Sequence, residues 1–354
     1  PDEKELADLV RDLISRERRR LIAPARLTPQ VFGAFVRNLR GLTRRQARQV
    51  VLDVISDDGE FDEKDLNRAL ARKRQILHKD GLLEYIESPV NLDEIAGMAR
   101  LKAWLLQRRD SHKDEAKLYG LVPPRGLLML GVPGSGKSLC AKAVASAWQR
   151  PLFRLDPSSL YQKYIGESER HLRETFRQAE AMSPLVLWID EIEKGFAGAA
   201  SRSVDGGLSQ RMFGSLLTWM QERQAPVFVI ATANDVEALP PELLRKGRFD
   251  EIFFVDLPGA EVRSAVFGIH LKKRMYKPED FDLAALTVSS EGYTGAEIEQ
   301  AVIAGMHDAF SRGLKMETSD LLGALHRSPP LSVTMKERID GLRSWARGRC
   351  ATVD

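Results

Sequence analysis

The feature that most constrains this chain is a run near residue 131, LLMLGVPGSGKSLCAKAVA. An apolar stretch breaks into a glycine-rich turn, ends in Lys-Ser and resumes with helical periodicity. Gly131-Val132-Pro133-Gly134-Ser135-Gly136-Lys137-Ser138 matches G-x-x-x-x-G-K-[ST] at every fixed position. The preceding RGLLMLG reads as a buried parallel strand and SLCAKAVASAW as the helix after it, which is the context the motif requires. Glycines there let backbone N–H groups turn inward around phosphate oxygens, at the positive end of the helix dipole. Pro133, Gly134, Ser135, Gly136 and Leu139 belong to this cradle. Lys137 is expected to reach the β- and γ-phosphates of a nucleotide, and Ser138 to ligate Mg²⁺.

A second apolar run, PLVLWIDEIEK, has the continuous hydrophobicity of a strand covered on both faces. It ends in Asp190-Glu191, at the carboxyl edge where open α/β sheets bind ligands. Alone, such a pair is usually a solvated strand end. Beside the phosphate loop, Asp190 is expected to hold Mg²⁺ through its water shell and Glu191 to polarise an attacking water. A third strand, PVFVIATAND, ends at Thr232 and Asn234, where a polar side chain can orient that water. PELLRKGRFD comes next and carries Arg245 and Arg248, either surface residues near a helix end or cations for a phosphate held by a neighbouring subunit.

The chain has 354 residues, enough for two or three domains, with 43% hydrophobic and 29% charged residues. A net charge of +3 gives no argument for nucleic acid or membrane binding. No apolar stretch reaches transmembrane length and no secretory signal is visible. The chain opens on Pro1, as a fragment or processed form does. Only Cys140 and Cys350 are present, which favours a reducing compartment, and Cys140 is expected to be a buried packing group. There is no zinc-ligand spacing, nucleophile elbow or H-E-x-x-H helix. The chain has one motor-like site and no second one.

From about Asn91 onward these motifs resemble the AAA subgroup of the AAA+ ATPases. LDEIAGMARLK is similar to the subgroup's leading segment, whose Ile95-Ala96 backbone would line an adenine pocket, with Ala96 in place of the usual glycine. VFGIHLKK carries His270 where the subgroup has an adenine-facing histidine, and GYTGAEIEQAV resembles the lid helix whose Gly295-Ala296 closes over the base. The resemblance makes Arg245 and Arg248 arginine fingers acting in trans, with Lys246 in place of the common proline between them. RGLLMLGV, LWIDEIEKGFAG, ELLRKGRFDEIFFVDLP and EGYTGAEIEQAV together are most similar to the hypothetical chloroplast open-reading-frame family number forty-six.

Within YQKYIGESERHLRETF, the resemblance puts Tyr164-Ile165-Gly166 in the aromatic–hydrophobic–Gly loop that faces a ring's pore and grips a polypeptide. The alternative is that both side chains pack locally. SRSVDGGLSQRMFGSLL resembles the second pore loop and the helix after it, with Asp205-Gly206-Gly207 expected as a flexible hinge.

Upstream, apolar periodicity predicts four helices, with Leu6, Leu9, Val10, Leu13 and Ile14 inward in the first, Val31, Phe32, Phe35, Val36 and Leu39 in the second, Val50, Val51, Val54 and Ile55 in the third, and Leu66, Leu70, Ile76 and Leu77 in the fourth. Thr28-Pro29 opens the second, and Thr43-x-x-Gln46 is a capping box for the third. GLTRRQARQVV lines up with GYTGAEIEQAV, DLNRAL with DLLGAL, and the opening PDEKELADLV with PGAEVRSAVF. Either the first segment is the lid of a truncated ATPase-like module, or two small capped bundles look alike.

The expected fold is α/β: a five-stranded parallel sheet with right-handed crossovers in residues 89–257, a helical lid in 258–354 and a small all-α domain in 1–88. The expected activity is Mg²⁺-dependent ATP hydrolysis in a homo-oligomeric ring, implied as hexameric by the resemblance, that remodels a protein client in the cytoplasm or plastid stroma. The alternative is an ATP-gated assembly switch that threads nothing. Nucleic acid and membrane are not expected partners.

Overall fold

Side chains that alternate along the strands build one core on each face of the sheet. The structure, a computed structural model, describes residues 3–16, 28–39, 41–58, 68, 69, 72, 83–86, 92–111, 114–156, 168–195, 208–245 and 247–354. Its strands are β1 (Leu83–Ile86), β2 (Gly126–Gly131), β3 (Leu152–Leu155), β4 (Leu185–Ile189), β5 (Val227–Ala233), β6 (Glu251–Val255) and β7 (Ala351–Thr352). They form one sheet in the order β1-β3-β4-β5-β2-β6-β7. Every residue of β2, β4 and β5 is buried, as continuous apolar runs require. Leu128, Leu130, Leu187 and Val229 face one core, whereas Leu127, Met129, Trp188 and Phe228 face the other.

The helices Ser168–Ala181 and Leu208–Glu222 cover the first face with Leu172, Phe176, Met212 and Leu216. The rings of Phe176 and Trp219 stack between them, with centroids 4.2 Å apart. On the second face lie Ala99–Arg108 and Lys137–Ala147. Cys140 sits in that core, and burial pushes its thiol up to about 12, so it remains a protonated packing group.

The five central strands are parallel, as the sequence predicts; two further strands extend the edges. β1 lies within residues 1–88, expected to be all-α, and pairs antiparallel with β3, Leu83 opposite Leu155. β7 pairs parallel with β6, Phe253 opposite Ala351. The preceding helix Lys336–Ala346 buries Leu342 and Ala346 in the first core, while Arg343 pairs with Asp256 at 2.9 Å. The chain beyond residue 335, grouped by sequence with the lid, therefore packs on the sheet.

The lid has its own core, built from Phe267, Leu271, Ile298, Val302 and Leu321. The helix Gly295–Ser311 opens on a complete capping box between Thr294 and Glu297.

In the N-terminal bundle, helices Glu3–Arg16, Pro29–Asn38 and Arg44–Asp58 bury Leu6, Val10, Phe35, Val36, Val50 and Val54. Most of the fourth expected helix lies outside the described residues. The helix Glu3–Arg16 touches both others, as Ala260–Lys273 in the lid touches both Leu283–Ser289 and Gly295–Ser311. Thr43 N–H donates to Gln46 Oε1 at 2.8 Å and Gln46 N–H to Thr43 Oγ1 at 3.3 Å. The equivalent bonds of Thr294 and Glu297 have the same two lengths. Ahead of each box stands a left-handed glycine, Gly41 at φ +84° and Gly292 at φ +79°.

The bundle's core is continuous with the first core of the sheet. A Cβ on Gly41 would stand 2.0 Å from Met182 Cγ, whereas one on Gly120, at φ +72°, would meet nothing within 4 Å. Both Gly41→Ala and Gly120→Ala force an L-residue into the left-handed region, at about 1 kcal/mol. Gly41→Ala should destabilise the protein further by crowding Met182, measured by urea unfolding. Equal losses for the two variants would show that the bundle does not dock at Met182.

Candidate functional site

Three parallel strands deliver their carboxyl ends to one edge, where Lys137, Ser138, Asp190, Glu191, Thr232 and Asn234 meet. The phosphate loop leaves β2 through Gly131 (φ +152°), Gly134 (φ +75°) and Gly136 (φ +94°). At Gly131 a Cβ would stand 2.0 Å from Val255 O, so a side chain there would push β6 away. Lys137 is buried in the first turn of its helix and donates to the carbonyls of Gly131 at 2.9 Å and Val132 at 2.7 Å. Burial lowers its ammonium from 10.5 to about 8, opposed by the charges of Glu193, Asp190 and Glu191.

Asp190 lies just past β4. Its Oδ1 accepts from Ser138 Oγ at 3.1 Å and from Thr232 Oγ1 at 2.6 Å. Arg154, on β3, stands 3.7 Å from its other oxygen. Glu191 takes φ +47°, a left-handed conformation costly for a side chain of this kind, and its N–H donates to Thr232 Oγ1 at 3.0 Å. Its carboxylate accepts from Asn234 Nδ2 at 3.0 Å and pairs with Lys194 at 2.6 Å. Asn234 N–H in turn donates to Glu193 Oε1 at 2.9 Å. Glu193 is buried, which raises its carboxyl above the ordinary range, and its Oε2 has no partner.

A cavity of about 760 Å³ opens beside these groups. Ile95, Ala96, His270, Gly295 and Ala296 line it together with the phosphate loop, Leu139, Asp190, Glu191 and Asn234. The lid presses directly on the loop: Ala296 N–H donates to Gly134 O at 3.2 Å. His270 stands 3.4 Å from Glu299 and 3.3 Å from Arg274, and burial lowers its pKa. Lys273 on the lid pairs at 3.0 Å with Glu94, next to Ile95.

The fit to a magnesium nucleotide rests on what this cradle contains. Ser135 Oγ is buried without a partner, left-handed glycines aim the loop's backbone inward, and Lys137 supplies a cation. Ser138 and Asp190 offer two oxygens, the donor set Mg²⁺ takes when phosphate and water complete its shell. Among the described residues no three His, Cys, Asp or Glu side chains form a dedicated metal cage.

Arg245 and Arg248 do not line the cavity. Arg245 is exposed; Arg248 is shielded, with Nε and Nη1 unpartnered, and its pKa is lowered by burial. Lys246 and both proposed pore segments, including Tyr164, Ile165 and Gly166, lie outside the described residues. No local pattern in the sequence marks Glu193, two residues beyond Glu191 on the same turn, or the wall that Val353 and Asp354 add to the cavity.

Residues 127–257 match the family described as "ATPase family associated with various cellular activities (AAA)". Residues 4–80 match "SpoVK-like AAA ATPase, second domain". The chain is 40% identical over 357 residues to the AAA domain-containing protein ycf46 of Trieres chinensis, an alignment covering 97% of this chain and 71% of that protein. The chain belongs to the ycf46 group of AAA ATPases. Its identity to the ycf46 protein of Pyropia yezoensis is 43% over 322 residues, 90% of this chain and 65% of that one. The proteasome-activating nucleotidase of Aeropyrum pernix is 39% identical over 208 residues, 57% of this chain and 50% of its own. This AAA ATPase spans about two thirds of the length of these ycf46 relatives.

The lowered Lys137 pKa gives the site a pH signature. Polyphosphate beside the amine favours its charged form, so binding raises that pKa again. Between pH 8 and 9 nucleotide binding should therefore take up protons and weaken as pH rises, measured by calorimetry in buffers of differing ionisation enthalpy. Proton-neutral binding across that window would contradict a buried lysine at the phosphates.

Proposed function

We propose that this AAA ATPase hydrolyses ATP with Mg²⁺ in a homo-oligomeric, hexameric ring and couples hydrolysis to remodelling or threading a protein client. The observation that carries the reading is the meeting of Lys137, Asp190 and Glu191 at one sheet edge, with Ser138 and Thr232 both on Asp190 and Asn234 on Glu191. Bound Mg²⁺ would neutralise phosphate charge. In this assignment Lys137 and the loop amides hold the β- and γ-phosphates, and Ser138 and Asp190 hold the metal. Glu191, aligned by Asn234, takes a proton from water as the water oxygen bonds to the γ-phosphorus and the bond from that phosphorus to the bridging oxygen breaks, releasing ADP. Ile95, Ala96, His270, Gly295 and Ala296 take the adenine end.

Arg245 and Arg248, which stay outside their own subunit's cavity, are assigned to the next subunit's γ-phosphate. Support for a protein client comes from the resemblance of Tyr164-Ile165-Gly166 to a pore loop, and from a relative named for activating the proteasome. The location we propose is the cytoplasm, or the plastid stroma of a plastid-bearing organism, as the ycf46 relationship suggests. No helix among the described residues is long and apolar enough to cross a membrane. The N-terminal bundle is read as a lid-like module that binds no nucleotide and positions a neighbour or client, on the strength of its repeated cap and its match to an ATPase second domain.

Glu191→Gln should keep nucleotide binding while turnover falls at least about 10²-fold. Near-normal turnover would remove Glu191 from its role. Arg248→Ala should bind ATP and lose turnover on the order of 10³-fold, and mixing it with a Lys137→Ala protein should restore part of the activity through composite sites. No rescue despite demonstrated co-assembly would place the arginine's action within its own subunit or nowhere.

Tyr164→Ala should abolish client-stimulated ATPase and client unfolding, read by loss of a folded reporter's fluorescence. Client unfolding that survives the substitution would favour the assembly-switch alternative.

A further inference from the structure

The helix Ala99–Arg108 begins beside the base end of the cavity, directly after Ile95 and Ala96, yet nothing local caps it. Its N-cap position is Met98, held at φ 58° and ψ 38°, with no side-chain cap bond. A helix start leaves its first N–H groups without intrahelical acceptors. Here the chain more than 250 positions downstream supplies them. Ala99 N–H donates to Asp354 Oδ1 at 3.2 Å, Arg100 N–H to Val353 O at 2.9 Å, and Leu101 N–H to Val353 O at 3.2 Å. The Asp354 carboxylate also lies at the positive end of that helix's dipole.

The same two residues belong to the cavity wall. Val353 is buried in one cluster with Ile95, Met98 and Leu101, and β7 delivers it by pairing with β6. Lys102, one turn into the helix, donates back to Ile95 O at 2.5 Å. A Cβ on Gly97 would come within 3.2 Å of Asp354 Oδ1, so the leading loop and the downstream segment are in close approach.

We propose that Val353 and Asp354 are positioning residues for the nucleobase: by capping the helix at Ala99 they hold the Ile95-Ala96 backbone in the conformation that accepts the base. The proposal rests on the nucleotide reading of the cavity and adds the residues that determine affinity at its base end. The phosphate end is built separately, from β2 and the helix at Lys137. Loss of the cap is therefore felt by a nucleotide and not by a bare polyphosphate.

The test is equilibrium binding of a fluorescent ADP analogue, displaced by ADP or by pyrophosphate, with wild-type, Asp354→Ala and Asp354→Asn proteins. Removing a cap of this kind should weaken ADP about five-fold in Asp354→Ala. Pyrophosphate affinity should stay within two-fold, and Asp354→Asn, which keeps an acceptor oxygen, should restore ADP. In steady-state ATPase the alanine variant should raise KM about five-fold with little change in kcat. Unchanged ADP affinity in Asp354→Ala overturns the proposal, as does an equal loss for ADP and pyrophosphate, which would mark a general disturbance of the fold. A wild-type protein that binds neither ligand overturns the nucleotide reading itself.

Discussion

One oxygen, Asp190 Oδ1, ties the site together. It accepts from Ser138 on the phosphate-loop helix and from Thr232 on β5, so the ends of β2, β4 and β5 share a single anchor. Hydrogen bonds to an ionised acceptor each contribute roughly 1.5–3 kcal/mol, more than the neutral bonds of the strand ladders around them. The sheet fixes these strands in register, but the Asp190 contacts fix the relative position of side chains at their tips. With two hydroxyls committed to the carboxylate, loop and acidic strand end cannot move apart independently.

Asn234 extends the same logic one residue beyond β5. Its side chain holds Glu191 and its backbone N–H holds Glu193, so one residue sets the positions of two carboxylates. Glu191 is further constrained by its left-handed backbone, whose N–H is satisfied by Thr232. A shift at the end of β5 is thereby transmitted to the group assigned to activate water. Asp235, the next residue, pairs at 2.9 Å with Arg338, and Asp256 after β6 pairs with Arg343 on the same helix. The helix Lys336–Ala346 thus grips the tips of both strands while feeding β7 and the cap at Ala99.

How much could be read from sequence depends on how local each signal is. The phosphate loop, the acidic pair and the strand ending at Asn234 are contiguous motifs inside long apolar runs, and the structure brings them to one edge. β2, β4 and β5 were legible because burial on both faces leaves an unbroken hydrophobic signature. β1 and β7 were not. They have four and two residues, and their identity as strands depends on pairing with β3 and β6 rather than on any pattern of their own. Glu193 was hidden for the opposite reason, since a third acid in IDEIEK looks like a solvated charge until the fold buries it. The cap at Ala99 joins positions 255 apart, and no local spacing encodes such a contact.

The two helical bundles show how a shared local design can serve different ends. In both, a left-handed glycine leads into a Thr-centred capping box with the same bond lengths. The two residues after the threonine differ. In the lid they are Gly295-Ala296, small enough that Ala296 N–H reaches Gly134 O and a Cβ on Gly134 would sit 3.1 Å from Ala296 Cβ. In the N-terminal bundle the same positions hold Arg44-Arg45, both exposed. Two long cationic side chains at that turn would keep a glycine loop from approaching as closely as Gly134 approaches the lid, and they remain in solvent instead. The cap that in the lid closes on the phosphate loop starts a helix in the bundle, and among the described residues the bundle meets the rest of the chain elsewhere, with Gly41 close against Met182 in a shared core.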